Sequence, residues 1–319
     1  MRLLVPLIGL GCTDPPPPPA APSAEPAEQP VPVSDDMVTI RGGTVQMGPR
    51  MIRPGGDATR PAAPVDRPPP LPSTGKAVPW ISRGGRGLMP RMVAVSGFQI
   101  DRTEVTRDQY ARFLDATGYR LPHVAEPWAE DGWNWTDASA PDGLGAHPVV
   151  LVSYHDASAF CRWAGKRLPT EAEWQLAALG PSTDGRVYPW GSRYRDDFLN
   201  HGRMEPPNFD DTDGYRTTSP VGSFPQGRSA TGLDDTFGNA WEFTADARID
   251  DWSHARHQGH DAAGAMINAR APGPALRVAV RGGSFYFDLR PNPGGEWAAF
   301  TPESRRKSSG FRCARDLER

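Results

Sequence analysis

Residues 161–174 read CRWAGKRLPTEAEW, and the fold is decided around them. Upstream, residues 156–164 place Ala157, Phe160, Cys161 and Ala164 at helical spacing, which predicts a helix with one apolar face. Downstream, Thr170-Glu171-Ala172-Glu173 has the form of a capping box, in which a hydroxyl and a carboxylate satisfy each other's backbone N–H groups. A second helix is therefore expected from Thr170, with Trp174, Ala177 and Ala178 facing inward.

Working outward, residues 107–116 predict another helix, capped by Thr103 or Thr106, with Tyr110, Phe113 and Leu114 on one face. Residues 38–48 alternate Val38/Ile40 and Val45/Met47 about Gly42-Gly43, the pattern of a β-hairpin. Residues 92–101 alternate as one strand, and further strands are expected at 219–224, 241–244, 278–282 and 310–315. Regular segments are short, and glycine and tryptophan are dense throughout. The expected class is α+β: one irregular, loop-rich domain.

Composition narrows the function classes. The chain has 319 residues with 36 prolines, 34 glycines, 10 tryptophans and only 3 cysteines, at a net charge of -3. Three cysteines cannot build a disulfide framework for such a length. There is no basic surplus to attract nucleic acid, and no apolar run is long enough to span a bilayer. Nineteen of the 36 prolines lie between positions 15 and 90. Residues 1–12 look like a short secretion signal, with an apolar run from Leu3 to Leu10 ahead of Cys12. A small residue followed by cysteine resembles a bacterial lipobox, although Gly9 stands where leucine is favoured. Residues 13–36 then read as a disordered, proline-rich tether. In polyproline II its ~20 residues would reach about 60 Å. The expected organisation is a lipid anchor on Cys12, the tether, and a domain over 37–319 with a Pro/Gly-rich insertion at 49–90. Lipid-anchored display at the bacterial envelope follows from this, with periplasmic or secreted protein as the alternative.

The motifs then carry a resemblance. Asp101-Arg102-Thr103-Glu104-Val105-Thr106, His147-Pro148-Val149-Val150, the 161–174 stretch, Tyr188-Pro189-Trp190-Gly191, Gly238-Asn239-Ala240-Trp241-Glu242-Phe243, Arg281-Gly282-Gly283-Ser284-Phe285 and Gly310-Phe311-Arg312-Cys313 occur in order. Together they resemble the sulfatase-modifying factor family, whose best-known member is formylglycine-generating enzyme. The resemblance implies a variant of the C-type lectin fold.

It also implies where chemistry should lie. In the family, two cysteines that hold copper(I) follow the RGGSF block; here those positions are Phe287 and Asn292. Soft thiolates are what suits that metal, so a thiol-held copper is not expected. Iron is not supported either, because the extra histidine-bearing domain of related sulfoxide synthases has no counterpart. His254, His257 and His260 cluster in a glycine- and alanine-rich stretch read as a solvated loop, since one regular helix would not converge all three. Cys161, on the apolar side of its helix, is expected to act as a small buried hydrophobe; its pairing with Cys313 is left open.

Two calcium sites are implied by the resemblance. One would use Asn200 and Asp213 with the backbone oxygens of His201 and Tyr215. The other would use Asp235, where relatives often carry asparagine, and Glu242, with the backbone oxygens of Gly238 and Ala240. Such oxygen sets suit this hard cation, in a structural role. The pocket is expected to have Trp190, Trp241 and Ser284 as its floor, and a wall carrying Tyr286, Asp288, Arg290, Asn292, Glu296 and Trp297. That mixture of aromatic and charged groups suits a polar ligand, a peptide or a protein. Two functions fit: a divergent oxidoreductase-like enzyme, or a non-catalytic binding module at the cell surface. Membrane association would come through the lipid anchor, and the ligand itself is not legible.

Overall fold

The computed structural model describes residues 36–48, 91–129, 132–184, 186–202, 210–248, 255–270, 277–287, 289 and 297–318. The signal, the tether from 13 to 35 and the 49–90 insertion lie outside the described residues. The strands are β1 (Met37–Ile40), β2 (Gly43–Met47), β3 (Arg91–Val95), β4 (Phe98–Asp101), β5 (Trp241–Ala247), β6 (Met266–Ile267), β7 (Val278–Arg281), β8 (Trp297–Phe300), β9 (Ser309–Gly310) and β10 (Ala314–Asp316). Among the described residues there are three α-helices, α1 (Arg107–Thr117), α2 (Tyr154–Trp163) and α3 (Glu171–Leu179), and four single-turn 3-10 helices. The class is α+β, as expected.

Three small sheets form, with strand orders β1-β4-β10, β2-β3-β6 and β8-β7-β5-β9. This corrects the hairpin expected at 38–48. β1 pairs with β4 and β2 with β3, so the two halves enter different sheets. The single strand expected at 92–101 is likewise broken at Ser96-Gly97. Alternation survives on both sides of each break, which is why periodicity could not reveal it. The strand expected at 219–224 is absent: Pro220 has no N–H to give a ladder, and Gly222 turns the chain at φ 77°. The strand expected at 310–315 is confined to its ends, in β9 and β10.

Each helix starts as its sequence dictates. Thr106, Ser153 and Thr170 all cap with a reciprocal capping box, each worth about 1 kcal/mol. Tyr110 and Phe113 of α1 pack on Phe160 of α2, with ring centroids 5.7 Å apart in both pairs. Val278 and Val280 of β7 and Phe243 of β5 close the same core. α3 is buried almost all round, not on one face: Glu171 and Gln175 are buried as well as Trp174 and Leu176. Ala172, Leu176 and Ala177 pack with β2, β3 and β4 in a second core, while Trp174, Ala178 and Leu179 form a small cluster of their own.

Cys161 is not a lone hydrophobe. Its sulfur is bonded to that of Cys313, joining α2 to the last segment across 152 residues. Both residues are fully buried. The pairing depends on tertiary placement: Arg167 and Ala314 exchange backbone hydrogen bonds, which brings the two segments side by side.

Candidate functional site

The glycine turn that follows β7 organises the site. Gly238 N donates to Gly282 O at 2.9 Å, Phe285 N to Asn239 O at 3.0 Å, and Asn239 N to Asn200 O at 3.0 Å. Gly202 N donates to Phe287 O at 2.9 Å. Three loops, around 200, 239 and 285, are thereby tied backbone to backbone. The tie explains Gly238: at φ 96°, a Cβ there would lie 2.2 Å from Asn200 O. Asn239, itself at φ 54°, accepts Ser219 N on its side-chain oxygen at 2.9 Å.

On this frame stands an aromatic surface. Trp241 is buried and meets Phe287 edge to face at 5.6 Å and Phe300 at 6.1 Å. Phe287 is 43% exposed. Tyr286 is covered by the Lys307 ammonium at 4.8 Å from its ring centre, and burial lowers the pKa of that lysine. Ser284 lies beneath, fully buried, with its hydroxyl accepting Tyr286 N at 3.3 Å. The indole N–H of Trp241 is buried and has no hydrogen-bond partner. Trp190 stands apart, in a separate cluster with Tyr188 and Phe237. Of the expected wall, Asp288, Arg290, Asn292 and Glu296 lie outside the described residues. Sequence reasoning missed Lys307, which reaches the surface from a segment between β8 and β9 with no motif of its own.

Beside this surface lies the first oxygen set. Asp213 accepts His201 N and Tyr215 N, both at 2.8 Å, on its two carboxylate oxygens. Burial raises its pKa, against the pull of those amides. Asn200 donates its amide to Thr217 O at 2.7 Å, while its side-chain oxygen is buried without a hydrogen-bond partner. That orphaned oxygen, next to a carboxylate in a loop-rich corner, fits a hard cation.

The second set is differently engaged. Arg312 grips Glu242 with two hydrogen bonds of 2.7 Å, and Trp174 Nε1 donates to the same carboxylate at 2.7 Å. Both partners of this ion pair are fully buried. The Arg312 guanidinium already balances the charge of Glu242, with Oε2 accepting two hydrogen bonds and Oε1 one, so this set does not fit a divalent cation as it stands. Asp235 accepts Gly222 N at 2.5 Å, and burial pushes its pKa up to about 6. Glu104, which the sequence reading passed over as part of a motif, is fully buried with neither carboxylate oxygen hydrogen-bonded. Burial raises its pKa well above the usual range, and the charge of Asp235 adds to this.

His257 and His260 pack edge to face with ring centres 4.5 Å apart, on the exposed segment that leads into β6. His254 lies outside the described residues. Among the described residues no group of three or more histidine, cysteine or acidic side chains is arranged to hold a metal ion.

Comparison with known proteins agrees with the block order. The family described as sulfatase-modifying factor enzyme 1-like domain matches residues 22–317. The chain is 34% identical to the formylglycine-generating enzyme of Thermomonospora curvata, over 91% of this chain and 97% of that protein. It is 39% identical to inactive C-alpha-formylglycine-generating enzyme 2 of Bos taurus, over 73% of this chain and 81% of the relative. Among solved structures, PvdO from Pseudomonas aeruginosa superposes with a TM-score of 0.61 at 24% identity, covering 92% of this chain and 100% of that one. The last likeness concerns the fold alone.

Proposed function

Since the chain belongs to the sulfatase-modifying factor family, we propose that it uses the family's fold as a ligand-binding module, without the thiol–copper oxidation of formylglycine-generating enzymes. One observation carries this reading. The two cysteines of the folded body are consumed by the buried Cys161–Cys313 disulfide; the resemblance would put the family's cysteine pair at Phe287 and Asn292, where no thiol stands. Copper(I) seeks thiolate sulfur, and the only other cysteine is Cys12. The half-exposed Phe287, with Tyr286 under Lys307 and Trp241 behind, offers an aromatic and cationic face in place of the thiols. Such a face suits a peptide, a protein segment or another polar ligand. The relative named as inactive supports a role for this fold without that oxidation.

In this reading the module is held at the bacterial envelope by a lipid on Cys12 and presented on the proline-rich tether. A structural disulfide is at home in such an oxidising compartment. Calcium would be held by Asn200 and Asp213 with the backbone oxygens of His201 and Tyr215. There it would cross-link the loops that carry the aromatic surface, and it takes no part in electron transfer.

The test is elemental analysis of the purified full chain, paired with incubation of a cysteine-containing sulfatase-type peptide with copper(I) and oxygen. Calcium without stoichiometric copper or iron, and no conversion of the peptide cysteine to an aldehyde, is the expected result. Stoichiometric copper or iron, or aldehyde formation, would overturn the binding-module reading in favour of a divergent oxidoreductase.

A further inference from the structure

Away from the aromatic surface, a cleft of about 210 Å³ opens between α2, β5 and the 167–170 connection. Its walls are Tyr154, Ser158 and Arg162 of α2, Arg167, Leu168 and Thr170, Ala245 of β5, and Arg270 from the segment after β6. The helical contribution is regular. Tyr154, Ser158 and Arg162 are four residues apart, so they align along one face of α2. Ala245 lies four residues beyond Trp241 on β5, about 13 Å further along the strand.

Three arginines and three hydroxyl-bearing residues are among those that line this small volume, together with Leu168 and Ala245. Arg167 is already engaged, by Glu173 at 2.8 Å and by Asp316. Arg162 and Arg270 are exposed and form no ion pair among the described residues. Thr170 accepts Glu173 N, which leaves its O–H free to donate. The acidic groups nearby are Glu173 and Asp316, which share Arg167 as their counter-ion, and the buried Asp246, on which Arg270 acts through space. Guanidinium forks recognise tetrahedral and planar oxyanions through paired hydrogen bonds, and hydroxyl donors complete the shell.

We propose that this cleft is an anion site, taking a phosphate or sulfate group between Arg162 and Arg270 with Ser158 and Tyr154 as supporting donors. A cleft of this size holds the oxyanion and a small part of whatever bears it. The bearer is either a soluble ester or an anionic lipid headgroup, and both present the same oxyanion. The inference does not rest on the aromatic ligand surface or on calcium, because it uses none of those residues.

The experiment is calorimetric titration of the full chain with inorganic phosphate and with sulfate, at low ionic strength, against acetate as a weaker oxyanion. Phosphate or sulfate should bind, and Arg162→Gln and Arg270→Gln should each weaken binding by about tenfold or more, the range of a lost charged hydrogen bond. Both side chains are exposed, so the variants should melt with the wild type. Arg112→Gln, on α1, serves as the charge control and should bind normally. A second arm uses the Cys12→Ala chain with phosphatidylglycerol vesicles, so that no acyl anchor contributes. Vesicle binding that phosphate competes away assigns the headgroup; phosphate binding without vesicle binding assigns the soluble ester. The proposal fails if wild-type protein binds neither phosphate nor sulfate, or if the Arg162→Gln/Arg270→Gln double variant binds as the wild type does.

Discussion

Replacing Cys161 and Cys313 together by alanine removes a cross-link between residues 152 apart in the chain. The effect falls mainly on the unfolded state, which regains the freedom of a loop of that length. In the loop-entropy treatment this amounts to about 5 kcal/mol at 25 °C. Measured losses for native disulfides run at about 2–5 kcal/mol, because the reduced chain keeps some compactness. The native state adds to the cost. Both sulfurs are buried in the core shared by α1, α2, β5 and β7, and alanine leaves small voids there. For a domain of this size each kcal/mol moves the midpoint by about 2–4 °C, so the variant should melt roughly 10–20 °C lower. The assay is urea and thermal unfolding followed by circular dichroism, in a Cys12→Ala background so that no other thiol interferes. Thiol titration of the unreduced, denatured Cys12→Ala protein should find no free sulfhydryl. Two titrating thiols per chain, or a double variant within about 1 kcal/mol of its parent, would refute the reasoning.

Four further outcomes are expected. Arg312→Ala strands Glu242 as a buried, unpaired charge and should cost about 3–5 kcal/mol in urea unfolding; the Arg312→Met/Glu242→Leu pair should cost clearly less, and equal losses would contradict this account of the pair. Burial pushes the carboxyl of Asp246 up to about 7; its folded pKa lies above its unfolded one, so its stabilising contribution is full below about pH 4 and is lost as pH rises through about 7. Asp246→Asn should therefore flatten the pH dependence of the melting temperature between those limits, and an unchanged slope would count against it. Chelation should lower the melting temperature of the wild type but not of Asn200→Ala, if the orphaned oxygen of Asn200 serves calcium. Finally, Cys12→Ala should move the protein from the membrane to the soluble fraction, and unchanged fractionation would remove the lipid anchor.

Much of the fold was legible because its signals are local. The capping box at Thr170 depends on residues three apart and forms as read; of the two caps offered for the first helix, Thr103 and Thr106, the structure uses Thr106. The helical faces of Tyr110, Phe113 and Phe160 repeat with the helix period and all are buried. The strand boundaries at 42 and 96–97 were not legible, because alternation continues through them while the hydrogen-bond partners change. The extent of α3 burial was hidden for a related reason. Glu171 and Gln175 look solvent-facing until Arg281, reaching from β7, accepts them as partners.

The candidate site divides in the same way. By itself the sequence determined the family, through ordered blocks, and the number of its cysteines, since a chain with three has three in any conformation. Only the tertiary structure decided what the remaining cysteines do, because Cys161 and Cys313 meet through the pairing of Arg167 with Ala314 and not through any spacing. It also decided that Glu242 is held by Arg312 and Trp174 while the side-chain oxygen of Asn200 is left without a hydrogen bond. A sequence lists which oxygens exist. Whether a guanidinium already occupies them is settled by packing, across separations of 70 residues for Arg312 and Glu242, and no local pattern encodes that.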